Sequence, residues 1–351
     1  MKTADLDYEL PEALIAARPT ERRDGARLLV VSEDGLRDAR VDELAQLIPA
    51  GALVVVNDTR VRRARIFGSR QGSGGRIELL FIRRLALESD GRERWEAIGR
   101  ASKPLRVGTQ IEWDEVRIQV LEKSAEGTLV VSVDAQGVDF ERILDQRGHL
   151  PLPPYMRRSD EDVDLERYQT VYARRTASAA APTAGLHLTP ELFARLAERD
   201  VELARLELEI GLATFRSVTA EDLNDHPMHA ETIAVGPELV AAVRAARERD
   251  RPVVAVGTTV VRALESAADP QRSGEVRVTH GETRLLIQPG YRFRVVDALL
   301  TNFHVPQSTL LALVSAFAGY ERVMSAYRHA VREKYRFLSY GDAMWIPKRL
   351  A

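Results

Sequence analysis

The stretch ELVAAVRAARERDRPVVAVGTTVVRALESA, residues 238–267, decides the fold class. Residues 238–250 have the apolar spacing of an amphipathic helix, and residues 259–267 have a second helical pattern. Between them, residues 253–256 form an apolar run that is typical of a strand buried on both faces. A buried strand between two helices predicts an α/β fold, in which helices cover a sheet.

The same alternation of strands and helices continues on both sides of this stretch. One helix begins clearly at Thr189-Pro190-Glu191, because Thr is a good N-cap and Pro fits the first helical position, and it extends to about Asp200. The other predicted helices cover residues 308–318 and 321–334, with a weaker pattern over 41–48. The other predicted strands cover residues 28–31, 52–56, 201–210, 285–287 and 295–300.

Residues 61–149 have a different pattern. Five short β-rich runs are separated by Gly, Ser, Asp and Glu without intervening helices, which predicts a small antiparallel β-barrel. The runs cover residues 76–82, 95–98, 110–113, 116–121 and 128–133. Because the α/β pattern is present on both sides, we expect a larger mixed α/β domain of residues 1–60 and 150–351 with the barrel, 61–149, inserted into it. The prolines of 151–154 predict a stiff extended linker back to the first domain.

Composition limits the classes of function. The chain has 351 residues, of which 45% are hydrophobic and 29% charged, and it has no cysteine. Disulfide scaffolds, Cys-ligated zinc, iron–sulfur clusters and thiol catalysis are therefore excluded, and we expect a soluble protein of the cytoplasm that is not in a membrane. The net charge of −2 means that any contact with RNA must come from local basic patches.

Two candidate binding segments follow predicted buried strands. Ligands of α/β sheets bind at the carboxyl ends of the strands. Gly257-Thr258-Thr259 begins a helix there, and helix N-termini bind carboxylates or phosphates. Asp58 follows another strand, where its carboxylate could accept two N–H bonds from a guanine-like edge, and Arg60 is close by. The alternatives are an ordinary Gly turn with a Thr cap and a simple Asn-Asp turn.

Two histidine-containing segments are candidates for proton transfer. The small-residue run 180–187 includes Thr183 and Gly185, which would let a base or sugar come close to the backbone, and it ends in His187. The alternative for His187 is a buried structural histidine. His229 and Glu231 are interpreted as a polar recognition or acid/base pair. We do not expect a metal there, because Pro227 disfavours the helix that would align two histidines.

Two further segments combine polar groups with aromatics and suit the wall of a cavity. They contain Asn302 and His304, and Tyr340 and Asp342. The chain has no GxSxG elbow, Walker A loop or GxGxxG motif.

A dense basic run could grip an RNA backbone if its members converge in space. Taken singly, each arginine would be an ordinary solvated side chain. The run consists of Arg60, Arg62, Arg63 and Arg65, and Arg157-Arg158 and Arg174-Arg175 add two pairs.

Together, in order, these segments resemble the S-adenosylmethionine:tRNA ribosyltransferase-isomerase family of queuosine biosynthesis. Eleven stretches between Asp7 and Met344 carry the resemblance: DYELPEALIA, VVNDTRV, GGRIELL, PLPPY, YQTVYA, AAPTAGLH, MHAE, VGTTVVRALES, IQPGY, LLTNFHVPQSTLLALVSAFAG and YRFLSYGDAM. The resemblance implies an α/β domain with a small β-barrel, in agreement with the pattern above.

The resemblance also implies a reaction. The ribosyl group of S-adenosylmethionine is transferred to the aminomethyl group of a 7-deazaguanine in tRNA and rearranged, which yields epoxyqueuosine in tRNA, adenine and methionine. S-adenosylmethionine would be a co-substrate, with no cofactor or metal, and tRNA the macromolecular partner of a monomer. The candidate acid/base residues are His187, His229, Glu231 and Asp342. The candidate substrate-binding residues are Asp58, Arg60, Thr183, Gly185, Gly257, Thr258, Thr259, Asn302, His304 and Tyr340.

The chain departs from the family pattern at three positions. Where the family usually has HVGLGTF, this chain has Glu209 for the His and Ala213 for a Gly, and Val260 replaces the Ser of VGTTS. These departures leave a second hypothesis open, a catalytically altered or inactive tRNA-binding paralogue. A third is an α/β enzyme that acts on a free nucleoside or base.

Overall fold

The computed structural model describes residues 1–125, 127–211 and 218–351. The first part of the chain contributes strands to the large sheet, then forms the barrel. Before the barrel come β1 (Arg27–Ser32), β2 (Gly35–Arg40), α1 (Leu44–Leu47), β3 (Leu53–Asn57) and β4 (Thr59–Val61). The barrel segment contains β5 (Arg65–Arg70), β6 (Arg76–Leu87), β7 (Glu93–Ala101), β8 (Gln110–Trp113), β9 (Val116–Lys123), β10 (Thr128–Asp134) and α2 (Phe140–Arg147).

The rest of the chain alternates helices and strands. In order these are α3 (Asp162–Arg167), β11 (Arg175–Ser178), α4 (Pro190–Ala197), β12 (Glu202–Leu208), β13 (Glu231–Val235), α5 (Pro237–Glu248), β14 (Val253–Val256), α6 (Thr258–Ser266), β15 (Thr279–Thr283), β16 (Ala298–Asn302), α7 (Thr309–Ala318), α8 (Tyr320–Arg332) and β17 (Ala343–Ile346). The predicted mixed α/β fold with a small antiparallel barrel is confirmed. No helix in the described ranges is long and apolar enough to cross a membrane.

The large sheet has nine strands in the order β15-β13-β12-β3-β14-β16-β17-β1-β2. Neighbouring strands β12, β3, β14 and β16 are parallel, whereas β13 and β17 run antiparallel to β12 and β16. The carboxyl ends of the four parallel strands therefore share one edge of the sheet with the first residues of β13 and β17. We call this edge the functional edge.

The central strands are buried on both faces because two hydrophobic layers cover the sheet. On β3, Leu53 and Val55 pack into one layer, and Val54 and Val56 into the other. This alternation is the period of two expected for a strand. It explains why the sequence of β3 reads as a continuous apolar run.

Six strands close the barrel in the order β10-β7-β6-β5-β8-β9. Its centre is aromatic: the ring of Phe140 on α2 lies 4.8 Å from that of Phe81 and 5.7 Å from that of Trp95, centroid to centroid. The chain enters and leaves side by side, since Arg65 and His149 form a β-bridge. The division of the chain at residues 61 and 149 stays a prediction.

Two predicted strands are misplaced. In both places the backbone N–H and C=O groups form hydrogen bonds with side chains instead of with a neighbouring strand. Residues 285–287 form no strand: the Leu285 N–H donates to Thr283 Oγ1 (3.2 Å), and its carbonyl accepts from Arg262 (3.2 Å). The predicted strand 295–300 begins only at Ala298, because the N–H groups of Val295 and Val296 donate to Glu265 Oε1, each at 3.0 Å. The sequence patterns also missed seven strands and two helices: β2, β4, β5, β11, β13, β15 and β17, and α2 and α3.

Candidate functional site

A cavity lies on the functional edge, where β14 and β16 end; we call it the edge cavity. Six predicted substrate-binding residues line it: Thr183, Gly257, Thr258, Thr259, Asn302 and His304. The predicted site residues did not include five other polar lining residues: Tyr155, Thr301, Ser308, Thr309 and Ser339. Ser339 nevertheless belongs to the segment 339–344, which the sequence indicated as a cavity wall. Tyr155 ends a proline-rich stretch that the sequence identified only as a linker, and Ser339 directly precedes the predicted Tyr340.

One wall of the edge cavity is the beginning of α6. Gly257 precedes the helix with φ +95°, a conformation that favours glycine, and no side chain caps the first turn. Among the described residues, the buried Thr259 Oγ1 also has no hydrogen-bond partner. Uncapped N–H groups and the positive end of the helix dipole make this wall suitable for a carboxylate or phosphate.

The adjoining wall follows β16. The Asn302 side chain is 2% exposed and donates from Nδ2 to the Leu338 carbonyl at 3.0 Å. The Asn302 side chain also interacts with the neighbouring His187, whose pKa it raises. Two residues further, His304 Nε2 lies 2.9 Å from Thr301 Oγ1, and burial lowers the pKa of His304 to about 4. At neutral pH this wall therefore presents an amide oxygen and a neutral imidazole.

His187 and Tyr340 lie behind the edge cavity, in a smaller pocket that shares Ser339 with it. Burial lowers the pKa of His187 to about 4, and the nearby Asn302 side chain acts in the opposite direction. The Tyr340 hydroxyl donates to Asp164 Oδ1 at 2.7 Å. His187 is thus neutral at pH 7, and the Tyr340 hydroxyl is engaged within the protein.

His229 and Glu231 lie in a second recess, between the barrel and the functional edge, which we call the barrel cleft. Its barrel side includes Arg83 and Glu96, and its sheet side includes Glu209. The Glu231 carboxylate forms a buried ion pair with Arg262 of α6.

The edge cavity and the barrel cleft adjoin at Ile210, which lines both. The Ile210 backbone is fixed there, since its N–H donates to Ser178 Oγ (2.8 Å) and its carbonyl accepts from the Ala179 N–H (2.9 Å). A ligand in one recess would therefore be next to a ligand in the other.

Four other predicted site residues lie outside the described walls of both recesses. They are Asp58, Arg60, Gly185 and Asp342. Both Asp342 oxygens accept backbone N–H groups, from Arg27 at 2.8 Å and from Arg336 at 2.7 Å. This arrangement is structural, because it fixes the loop before β17. Gly185 is closely packed, since a Cβ at this position would lie 2.0 Å from the Tyr172 hydroxyl.

Asp58 directly follows β3 at the functional edge and is partly buried. Burial raises the pKa of its carboxyl group, and Arg174 and Arg205 act in the opposite direction. Glu207 is a further neighbour of Asp58; it pairs with Arg175, which lies 4.0 Å from Glu209 of the barrel cleft. Asp58 therefore lies beside the barrel cleft, among charges of both signs.

The hypothesis that the four arginines form one RNA-binding surface stays untested, and the structure gives it less support at three of them, whose guanidinium groups bond to protein groups. Arg62 donates to Glu141 and to the Ile82 carbonyl, Arg63 to the carbonyls of Gly148 and Asp145, and Arg65 to that of Leu152. Of the pairs, Arg158 binds the buried Asp164. Arg60 and Arg174 remain exposed.

Of the three departures from the family pattern, Glu209 lines the barrel cleft and Val260 is buried in α6. Ala213 lies outside the described residues. Among the residues that the structure describes, no group of three or more His, Cys, Asp or Glu side chains is arranged to hold a metal ion.

Comparisons with known proteins agree with this architecture. The family model described as queuosine biosynthesis protein matches residues 3–346. The S-adenosylmethionine:tRNA ribosyltransferase-isomerase of Sorangium cellulosum is 53% identical, with 99% of this chain and 98% of that protein covered. That of Anaeromyxobacter sp. (strain Fw109-5) is 48% identical, with 99% of each chain covered.

Among solved structures, the S-adenosylmethionine tRNA ribosyltransferase of Thermotoga maritima is 34% identical. The match covers 97% of this chain and 99% of that one, with a TM-score of 0.54. The resemblance read from eleven ordered motifs is thus confirmed over almost the entire length. The chain belongs to the queuosine biosynthesis family of S-adenosylmethionine:tRNA ribosyltransferase-isomerases.

Proposed function

We propose that this chain transfers the ribosyl group of S-adenosylmethionine to the aminomethyl group of a 7-deazaguanine in tRNA and isomerises it, with release of adenine and methionine. Family membership supports the reaction. The structural observation that supports this reaction is that the edge cavity and the barrel cleft meet at Ile210. A transfer between two substrates needs adjoining sites for the donor and the acceptor.

The edge cavity suits the donor. The start of α6 would hold the methionine carboxylate, because its first-turn N–H groups are uncapped. Tyr155 also lines this cavity, and its aromatic ring is the group that we assign to the sulfonium. We assign His304 as the group that takes up the proton of the C–H beside the sulfonium, because its imidazole is neutral at pH 7 and keeps one ring nitrogen unprotonated. Burial makes this imidazole a weak base, so the step also depends on the positive charge of the adjacent sulfonium, which makes the C–H acidic.

The barrel cleft suits the acceptor. An alkyl amine with a pKa of about 10 is protonated at pH 7, so carboxylates nearby favour its binding, and a base must then free its lone pair. Glu209 and Glu96 supply carboxylates in this cleft, although Glu96 also pairs with Arg83 at 2.6 Å and Glu209 lies 4.0 Å from Arg175. His229 is the base that we assign. Glu231 acts through its ion pair with Arg262, which holds the beginning of β13 in place.

The test is adenine release, measured by chromatography, from S-adenosylmethionine with tRNA that carries the aminomethyl-deazaguanine. Release that depends on this tRNA supports the proposal. Binding of tRNA without release would instead support an inactive paralogue, and turnover of the free base a nucleoside-type enzyme. Glu209→His, which restores the usual family residue, separates these cases further. In an active enzyme it should lower adenine release, because the acceptor cleft loses a carboxylate, whereas in an inactive paralogue it should restore adenine release.

A further inference from the structure

The polar groups of the edge cavity lie at two ends. The start of α6 follows β14, Asn302 ends β16, and Ser339 is in the loop that leads to β17. Because adjacent strands are about 4.8 Å apart, the β14 and β17 ends of the cavity are separated by roughly 10 Å. A ligand whose anionic group binds at α6 would therefore place its opposite end near Ser339.

At that opposite end the structure holds an amide and a hydroxyl pair. Asn302 Nδ2 donates to the Leu338 carbonyl, so the amide orientation is fixed. Its nearly buried Oδ1 interacts with the His187 ring and has a second lone pair with which to accept a hydrogen from a ligand. Ser339 is 3% exposed, and its Oγ lies 2.5 Å from the Tyr155 hydroxyl. Either hydroxyl of this pair can be the donor, and the Tyr168 hydroxyl is a second neighbour of Ser339. We assign the Tyr155 hydroxyl, which is protonated at neutral pH, as the donor to Ser339 Oγ. The Ser339 hydrogen can then be donated to a ligand.

We propose that Asn302 and Ser339 form the purine subsite of the donor and read the edge of adenine that carries the 6-amino group and N7. Asn302 Oδ1 accepts from the amino group, and the Ser339 hydroxyl donates to N7, with Tyr155 as the positioning residue that orients Ser339. This inference rests on the proposed function, because it takes S-adenosylmethionine as the donor.

The pairing has two chemical consequences. A 6-oxo purine would present a carbonyl oxygen to Asn302 Oδ1, and two acceptors without a shared hydrogen repel each other. A hydrogen bond to N7 also withdraws electron density from the ring, which stabilises adenine as a leaving group. The same pair of residues would therefore select the donor and assist its cleavage.

The experiment is calorimetric binding of three stable ligands to the full chain: S-adenosylhomocysteine, its 6-oxo analogue and its 7-deaza analogue. We expect the 6-oxo analogue to bind about tenfold more weakly and the 7-deaza analogue about 3- to 10-fold more weakly. Ser339→Ala should weaken the binding of S-adenosylhomocysteine by about the same 3- to 10-fold, but it should leave the affinity for the 7-deaza analogue unchanged. Tyr155→Phe should weaken the binding of S-adenosylhomocysteine by a smaller factor. It should also leave the affinity for the 7-deaza analogue unchanged, because that analogue lacks N7.

The matched control is Ser315→Ala, which makes the same chemical change in the core of α7, outside the cavity wall. It should change none of the three affinities. The inference is overturned if the three ligands bind the unmodified chain equally well. It is also overturned if Ser339→Ala weakens the binding of S-adenosylhomocysteine and of its 7-deaza analogue by the same factor. In either case, adenine release with tRNA would still support the proposed function. If none of the ligands binds, both the subsite and the placement of the donor are wrong, and the release assay alone then decides the function.

Discussion

Arg262 of α6 and Glu231 at the start of β13 form an ion pair in which each side chain is only 8% exposed. Helix α6 begins at the edge cavity, and β13 begins at the barrel cleft. The pair therefore ties the wall of one recess to the wall of the other. Arg262 Nε also donates to the Leu285 carbonyl at 3.2 Å, so the same guanidinium fixes the segment after β15.

Replacement of Glu231 by Gln should destabilise the fold, because it leaves the buried Arg262 charge without its partner. Loss of one member of a buried ion pair typically lowers the free energy of unfolding by about 3–5 kcal/mol. Urea unfolding followed by circular dichroism measures this change.

The control is Glu282→Gln, since Glu282 lines the same cleft but is exposed. We expect it to change the free energy of unfolding by less than about 0.5 kcal/mol. If the Glu231→Gln variant is as stable as the unmodified chain and yet releases no adenine, Glu231 takes part in the reaction directly. Its role as the stabilising partner of Arg262 would then be wrong.

Local pattern predicted most of the fold because the central strands are covered on both faces. Residues 253–256, for example, are apolar throughout, so the strand that they form must be buried on both faces. The pattern failed where backbone groups bond to side chains, as at Glu265, since a sequence does not show which distant carboxylate satisfies an N–H. It also failed for β15, whose sequence THGET has no apolar alternation.

The candidate site was predictable in its segments but not in its details. The rule that ligands bind where parallel strands end located Gly257 and Asn302 correctly on the cavity wall. The rule does not say which polar side chain turns inward. Asp342 has a suitable position in the sequence, but its two oxygens are occupied by backbone N–H groups, whereas Ser339 reaches the cavity.

Gly257→Ala should weaken the binding of S-adenosylmethionine. A Cβ at φ +95° strains the backbone just before α6 and would shift the N–H groups that the proposed function assigns to the carboxylate. We expect stability to fall by about 1–2 kcal/mol and the dissociation constant to rise at least several-fold. Gly35→Ala is the control, because Gly35 also has a positive φ, +120°, and lies in open space in the β1–β2 hairpin. Comparable weakening in both variants would contradict a specific role of the α6 start.

Arg60→Ala should weaken tRNA binding without destabilising the protein, because Arg60 is exposed at the functional edge. Loss of one phosphate contact should reduce the slope of log affinity against log salt by about 0.7–0.9. Filter binding at several salt concentrations measures it. Arg62→Ala is the contrasting variant: its side chain is 11% exposed and bonds across to the barrel, so it should cost about 2–3 kcal/mol of stability. A salt slope unchanged by Arg60→Ala would remove Arg60 from the RNA surface.

Acid should destabilise the protein through His187 and His304. Both imidazoles have a pKa of about 4 in the folded state, against an ordinary value of 6.5 for histidine. Between these two values the unfolded chain binds more protons than the folded chain, so the free energy of unfolding is highest above pH 6.5 and falls as the pH is lowered. Between pH 7.5 and pH 5.5 we expect a loss of about 1 kcal/mol for each histidine.

Urea unfolding at these two pH values tests this assignment in three variants. His187→Gln and His304→Gln should each reduce the difference between the two pH values by about 1 kcal/mol, because glutamine does not titrate. Ser315→Ala, a core substitution without a titratable group, should keep the full difference even if its absolute stability is lower. If the histidine variants keep the full difference as well, these imidazoles are not the buried neutral groups on which the proposed proton transfer at His304 depends.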